Sequence, residues 1–402
     1  MKILHTSDWH LGALLEEASR EPDHRAFLDW LLEAVEAHGV DLLLVAGDVF
    51  DTATPSAEAQ RLYYRFLHRL QGTRVRQVVV VGGNHDSAAR LDAPSELLAS
   101  LRVHVVGGLD SLDHLERCLC PVPGPGGEVE AVVVAVPFVH EWRLGYRSVD
   151  GEDTLAQEAL GAPFQRLYTA LADLAEARWP GVPQVATGHL AVAGSERSDA
   201  PQEIHLIGSL GGLPPGIFDP RFAYIALGHI HRAYRIGDSR AWYSGSPIAL
   251  SMKEGQRPRT VNRVDLHPSG TVEVCPVPVP DTRQLLTLAG TPPVVQAQLR
   301  ALTWTESLPP MVQVELWVEA FEVGLEEQVR SLVASLDPRP LLVALTQRPR
   351  RAAEPMTPEA LPLRLLDLEP RQVFQRLCVA RGEDPSALQG AFEQLLAQEV
   401  EA

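Results

Sequence analysis

The chain has 402 residues, 45% of them hydrophobic and 22% charged, the proportions of a globular protein with room for two or three domains and a sizeable core. Its four cysteines, Cys118, Cys120, Cys275 and Cys378, form no C-x-x-C pair, which excludes a zinc ribbon and a disulfide framework and leaves any metal to oxygen and nitrogen donors. A formal charge of −17 argues by itself against nucleic acid, yet divalent cations would neutralise several carboxylates, and a global sum says nothing about one groove.

Apolar, β-branched runs predict strands over residues 3–4, 42–46, 78–81, 131–136, 182–186 and 224–227. Helical spacing separates the first three: Phe27, Leu28, Leu31, Leu32 and Val35, then Leu62, Tyr63, Phe66, Leu67 and Leu70, with Thr54 as expected cap and Pro55 as first helical residue. Strand, helix, strand, helix, strand is an α/β beginning. Beyond residue 131 the strands draw closer, and Gly- and Pro-rich connections such as 120–127 predict a hairpin-rich second sheet packed on the first. Further strands are expected over 241–247 and 261–266. Past Pro280 comes a βαβαβ unit: strands at 285–288, 312–318 and 341–345, helices at 294–302 and 326–336. An Arg- and Pro-rich linker over 348–355 leads to two short amphipathic helices, one with Val373, Phe374 and Leu377 on a face, the other with Leu388, Phe392, Leu395 and Leu396. Three regions are expected: 1–270, 281–347 and 356–402.

Five predicted strands end in residues that bind metals: Asp8-Trp9-His10, Gly47-Asp48, Gly83-Asn84-His85-Asp86, Gly188-His189 and Gly228-His229-Ile230-His231. Each cluster alone reads as turn or cap chemistry. Together they point to one shared centre, because folding gathers strand termini on one edge of a sheet. Asp8, His10, Asp48, Asn84, His189, His229 and His231 are too many donors for one ion, whereas two divalent ions bridged by Asp48 would use all seven, the arrangement of a two-metal phosphoester hydrolase. The expected division is Asp8, His10, Asp48 and His231 on one ion, and Asp48, Asn84, His189 and His229 on the other. His85 is surplus as a ligand. It is expected either to make a supporting hydrogen bond or to assist a leaving group as the catalytic acid. Ser7, Thr187 and Ser246 lie near the clusters, and the remaining histidines are expected at the surface or in packing. No Walker A motif occurs, so any ATP dependence must come from a partner.

The ordered series of clusters resembles the calcineurin-like metallophosphoesterase superfamily. The longer strings, His5-Thr6-Ser7-Asp8-Trp9-His10-Leu11-Gly12, Ala46-Gly47-Asp48-Val49-Phe50-Asp51-Thr52, Gly83-Asn84-His85-Asp86-Ser87, Ala186-Thr187-Gly188-His189-Leu190 and Ile225-Ala226-Leu227-Gly228-His229-Ile230-His231-Arg232, resemble the SbcD family of bacterial nuclease subunits, kin of the Mre-type double-strand-break repair nucleases. Asp51 stands where archaeal and eukaryotic kin tend to carry His. The resemblance implies two packed sheets flanked by helices, a small capping domain at 281–347, and C-terminal helices that dock on an SbcC-type SMC-like ATPase. It implies a Mn²⁺-dependent DNA exonuclease and hairpin or single-strand endonuclease, gated by ATP through that partner. It also implies a homodimer within a heterotetramer, in the cytoplasm at the nucleoid and away from membranes; the helices at 27–35 and 62–70 are expected either to pair the two copies or simply to cover the sheet. Two competing readings are a phosphatase or small-molecule phosphodiesterase on the same core, and an inactive module that only positions an ATPase.

Overall fold

The computed structural model describes residues 1–109, 112–144, 153–192 and 212–349, with positions 374, 378, 389 and 392. The chain divides into two compact units, Met1–Pro349 and Arg350–Ala402.

The elements of the first unit are, in order, β1 Lys2–Thr6, β2 Leu14–Leu15, β3 Ala18–Ser19, α1 Glu21–His38, β4 Leu42–Ala46, α2 Ala57–Leu70, β5 Gln77–Val81, α3 Ala88–Asp92, α4 Ser95–Ala99, β6 Val103–Val106, β7 Leu119–Pro123 and β8 Val129–Val134. There follow α5 Asp153–Arg178, β9 Gln184–His189, β10 Phe222–Gly228, β11 Tyr234–Arg235, β12 Ala241–Tyr243, β13 Arg259–Leu266, β14 Val272–Val279, β15 Leu285–Gly290, α6 Pro292–Arg300, β16 Met311–Val318, α7 Leu325–Ser335 and β17 Leu341–Pro349.

Two six-stranded sheets lie against each other, ordered β14-β13-β1-β4-β5-β6 and β11-β12-β10-β9-β8-β7. In the first, β1, β4, β5 and β6 run parallel, with Ile3 opposite Leu42 and Leu43 opposite Val78. Strand β4 is buried at every position, as a parallel strand covered on both faces must be, which is why its sequence is an unbroken apolar run. Leu44, Val79 and Val81 face Val133, Val185, Tyr224 and Leu227 of the second sheet across the main core. Leu43, Val45, Val78 and Val80 face the other way, onto Phe27, Leu31, Phe66 and Leu67 of α1 and α2. The apolar faces of both helices are therefore covered by their own sheet.

The second sheet differs from expectation. Strands β8, β9, β10 and β12 are parallel neighbours, and among the described residues hairpin-type antiparallel pairs occur only at its two edges, β7 with β8 and β11 with β12. A parallel pair needs a crossover, and α5 supplies it between β8 and β9. That helix carries Pro163 within it, which broke the sequence pattern. The start of α2 differs too: Ser56, not Thr54, is the cap, its hydroxyl accepting the Ala59 N–H at 3.2 Å.

Strand β14 carries the first sheet past residue 270 to Val279. The parallel sheet β15-β16-β17 has its own core, in which Val314 and Leu316 pack with Val295, Leu299, Val329 and Val333 of α6 and α7. In the second unit, positions 374 and 392 are helical and their phenylalanine rings stack at 4.2 Å, while Cys378 is buried. The other residues named for the two tail helices lie outside the described residues. Among the described residues no helix is long and apolar enough to cross a membrane.

Candidate metal centre

Parallel strands deliver their carboxyl ends to one edge, and that edge is where an open α/β sheet binds ligands. Asp8 and His10 follow β1, Asp48 follows β4, Asn84 and His85 follow β5, His189 ends β9, and His229 and His231 follow β10. Backbone bonds lace these turns together: Asp8 N–H donates to Gly47 O at 3.0 Å and His10 N–H to Asp48 O at 3.0 Å. Asp8, His10, Asp48 and His229 all take positive φ, 52°, 47°, 48° and 92°, so each turn aims its side chain by a conformation that L-residues avoid. Two glycines allow the turns to close. A Cβ at Gly83 would fall 2.0 Å from Asp48 Oδ1, and one at Gly228 would fall 2.0 Å from Ala46 O.

The donors converge. Asp48 Oδ2 lies 3.1 Å from His189 Nε2 and 3.5 Å from His10 Nε2. Asn84 Oδ1 lies 3.1 Å from His189 Nε2 and 3.0 Å from His229 Nδ1. Asp8, His10 and His231 bring one donor atom each within 4.8 Å of one another, and so do Asp8, Asp48 and His189, which makes Asp8 common to both groups. Asp8, His10, Asp48, His189, His229 and His231 are buried, and Asn84 and His85 half-buried.

The orientations suit cations. His189 Nδ1 donates to Ala46 O at 2.9 Å, so Nε2 turns its lone pair toward Asp48 and Asn84. An imidazole lone pair with a carboxylate oxygen and an amide oxygen each 3.1 Å away is repelled by both unless a cation sits among them. His10 presents Nδ1 to Asp51 Oδ1 at 3.2 Å, while its buried Nε2 has no hydrogen-bond partner. The electrostatics agree. Burial would raise Asp48, but His189, His10 and His85 outweigh it and hold the carboxyl well below the usual range. Burial would lower His189, but Asp48 outweighs it and the pKa rises to about 9. A proton on His189 thus does the job that a metal ion does better, and the site fits divalent ions bound by O and N donors at roughly 2.0–2.2 Å.

His85 stands on the rim. Its N–H donates to Asp48 Oδ1 at 2.9 Å, its Nδ1 donates to Asp51 O at 2.8 Å, and its ring centroid is 4.7 Å from that of His10. Ser7 donates to Asp8 Oδ2 and lies 2.8 Å from Ser244 Oγ. Ser246 accepts from Arg259 at 2.9 Å, whereas the Thr187 hydroxyl is engaged with the Val136 backbone. His5 and His24 are buried packing residues.

Four supporting residues carried no assigned role in the sequence. Asp51 receives His10. Asp86 accepts the N–H groups of Val49, Phe50 and Gly83 at 3.0, 2.9 and 2.9 Å, welding the turns after β4 and β5, and burial together with Asp48 pushes its carboxyl up to about 6. Glu254 Oε1 meets His231 Nδ1 at 3.2 Å and Arg259 braces Glu254 at 2.8 Å. Asp51 and Asp86 sat inside quoted motifs and were findable there; Glu254 lies 23 positions beyond His231 in a segment without a pattern.

The calcineurin-like phosphoesterase family model matches residues 1–233. The SbcD subunit of the SbcCD nuclease from Escherichia coli strain K12 is 36% identical over 397 residues, 97% of this chain and 95% of its own length. The SbcD subunit from Rhodobacter capsulatus is 38% identical over 374 residues, 92% of this chain and 87% of its own, and the one from Bacillus subtilis is 34% identical over 271 residues, 67% of each. The chain belongs to the calcineurin-like phosphoesterases and, within them, to the SbcD nuclease subunits.

Proposed function

We propose that the chain is the nuclease subunit of an SbcCD-type complex and cuts DNA phosphodiesters with two Mn²⁺ ions. Asp8, His10, Asp48 and His231 hold one ion in this reading, and Asp48, Asn84, His189 and His229 the other. The observation that carries it is the convergence of buried lone pairs at Asp48, on a chain whose relatives across nearly its full length are named nucleases. That length also disfavours a small-molecule phosphatase. When bound, the ions supply charge to offset the phosphate and lower the pKa of water enough to yield a nucleophile near neutrality.

The side chains do the rest. Asp48 places one oxygen toward His10 and His189 and its other on the His85 N–H, so the turn carrying His85 is fixed to the centre. With its Nδ1–H donated to Asp51 O, the His85 ring is held in place and serves the departing sugar oxygen through Nε2, as proton donor when the ring carries both protons. His189, locked by Ala46 O, and His231, locked by Glu254, keep fixed rings and so fixed donors. Residues 281–347 act as the cap. Residues 356–402 bind the coiled coil of an SbcC-type ATPase that gates cutting with ATP, within a heterotetramer containing two copies of this chain, in the cytoplasm at the nucleoid.

The test is cleavage of a blunt duplex and a hairpin by the purified chain with Mn²⁺, Mg²⁺, Zn²⁺ or chelator, with and without the ATPase. Mn²⁺-dependent cutting that the ATPase and ATP accelerate is expected. Rapid turnover of an aryl phosphodiester with no cutting of either DNA would refute it.

A further inference from the structure

The segment over residues 247–257 touches both the metal centre and the small three-stranded sheet. On one side Glu254, buried at 4% exposure, meets His231 Nδ1 at 3.2 Å through Oε1, and its Oε2 accepts from Arg259 at 2.8 Å. Arg259 also donates to His231 O at 2.9 Å and to Ser246 Oγ at 2.9 Å, so both ends of His231 are tied to the same pair. On the other side the next residue, Gly255, is pressed on Leu285, the first residue of β15: a Cβ there would lie 2.6 Å from Leu285 Cβ. Ala249 and Met252 of the segment pack on the cluster that contains Leu285 and Met311, the register-matched first residues of β15 and β16.

A second linkage runs parallel to this one. Arg283, two positions before Leu285, meets Asp23 Oδ1 at 2.9 Å; Arg20 meets the same oxygen at 3.0 Å and donates its other arm to Ala249 O. All three charged side chains are buried, so the contact is held in a weakly screening medium and resists sliding. The small sheet is thus fastened at two points to the segment that carries Glu254.

We propose that Glu254 is the positioning residue of His231, and that through Gly255 and Leu285 the placement of the small sheet sets the affinity of the metal site to which His231 contributes. The inference rests on the reading of His231 as a ligand. A carboxylate on the far nitrogen of a ligating imidazole fixes its ring and strengthens it as a donor. Because Glu254 and Gly255 are adjacent, a shift of β15 displaces that carboxylate directly. A domain with no ligand of its own thereby acts on one of the two ions.

The test is calorimetric titration of Mn²⁺ into the chelator-treated full chain, with metal content measured separately. Glu254→Gln is expected to weaken one of the two ions by roughly 10- to 100-fold and leave the other unchanged. Gly255→Ala and Leu285→Ala, which crowd and slacken the contact from its two sides, are each expected to weaken the same ion to a smaller extent. Two sites of wild-type affinity in Glu254→Gln would overturn the positioning role. Unchanged affinity in both Leu285→Ala and Gly255→Ala would overturn the link to the small sheet, and if Gly255→Ala does not fold, Leu285→Ala alone decides it. A wild-type chain that takes up no Mn²⁺ would instead sink the metal-centre reading itself.

Discussion

His5→Gln should make the protein less sensitive to acid. His5 lies on β1 between the two sheets, fully buried, with Nδ1 2.9 Å from the Tyr224 hydroxyl. Burial pushes its pKa down from 6.5 to about 3, only partly offset by a backbone hydrogen bond at Leu227. In the unfolded chain the imidazole takes a proton near 6.5; in the folded chain it does not. Stability therefore falls as the pH drops below 6.5 and levels off only near 3. The slope is about 1.4 kcal/mol per pH unit, so His5 removes about 2 kcal/mol between pH 7 and 5, from a total that is typically 5–15 kcal/mol. Asp86, raised to about 6 by burial and by Asp48, works in the opposite sense, gaining stability as the pH falls from 6 toward 3.8, but it is common to both proteins and cancels in the comparison. Glutamine keeps a hydrogen-bonding partner for Tyr224 and does not titrate. Urea unfolding in chelator at pH 7, 6 and 5 should show the wild type losing about 2 kcal/mol more than the variant. Parallel pH profiles would refute the reasoning, because they would mean that His5 is protonated in the fold or hydrated there.

Three further outcomes are expected. His85→Ala should keep wild-type metal content by mass spectrometry while DNA cleavage falls about 10²- to 10⁴-fold, and loss of an ion would contradict the proton-donor role. Gly83→Ala should cost about 1–3 kcal/mol of thermal stability and most of the metal content, since the new Cβ lands 2.0 Å from Asp48 Oδ1; a fully loaded variant would show that the turn yields. Removing every residue after Glu354 should leave metal content and intrinsic cutting nearly intact and abolish co-purification with the ATPase; undiminished binding would move the partner site to residues 281–347.

The sequence betrayed its buried parallel strands because both their faces are covered, leaving apolar runs such as 42–46 that nothing else in a soluble domain requires. It hid the edges. Strands β7 and β14 carry Pro121, Pro123, Pro276 and Pro278, which read as loop; at the edge of a sheet a missing N–H is no loss, and both strands are edge strands. The seven ligand candidates and His85 were legible because metal chemistry needs particular residue types at strand ends. Glu254 was not, because its partner is set by tertiary approach alone. The apolar spacing of α1 and α2 marks a covered face without naming its cover, since a helix covering a sheet and a helix covering a second copy of the chain have the same periodicity.

Four left-handed turns at Asp8, His10, Asp48 and His229 imply an order of assembly. Each such conformation costs about 1–2 kcal/mol in a non-glycine residue, and the backbone bonds that lace the turns, Asp8 N–H to Gly47 O and His10 N–H to Asp48 O, oppose that cost without an ion. The expected order is therefore folding first and loading second. A chelator should strip this protein to an apo form of unchanged secondary structure, unlike a zinc finger that unravels without its metal. A cradle that stands ready before any ion arrives can also exchange one divalent cation for another without refolding, so cellular supply as much as the donor set governs which metal it carries.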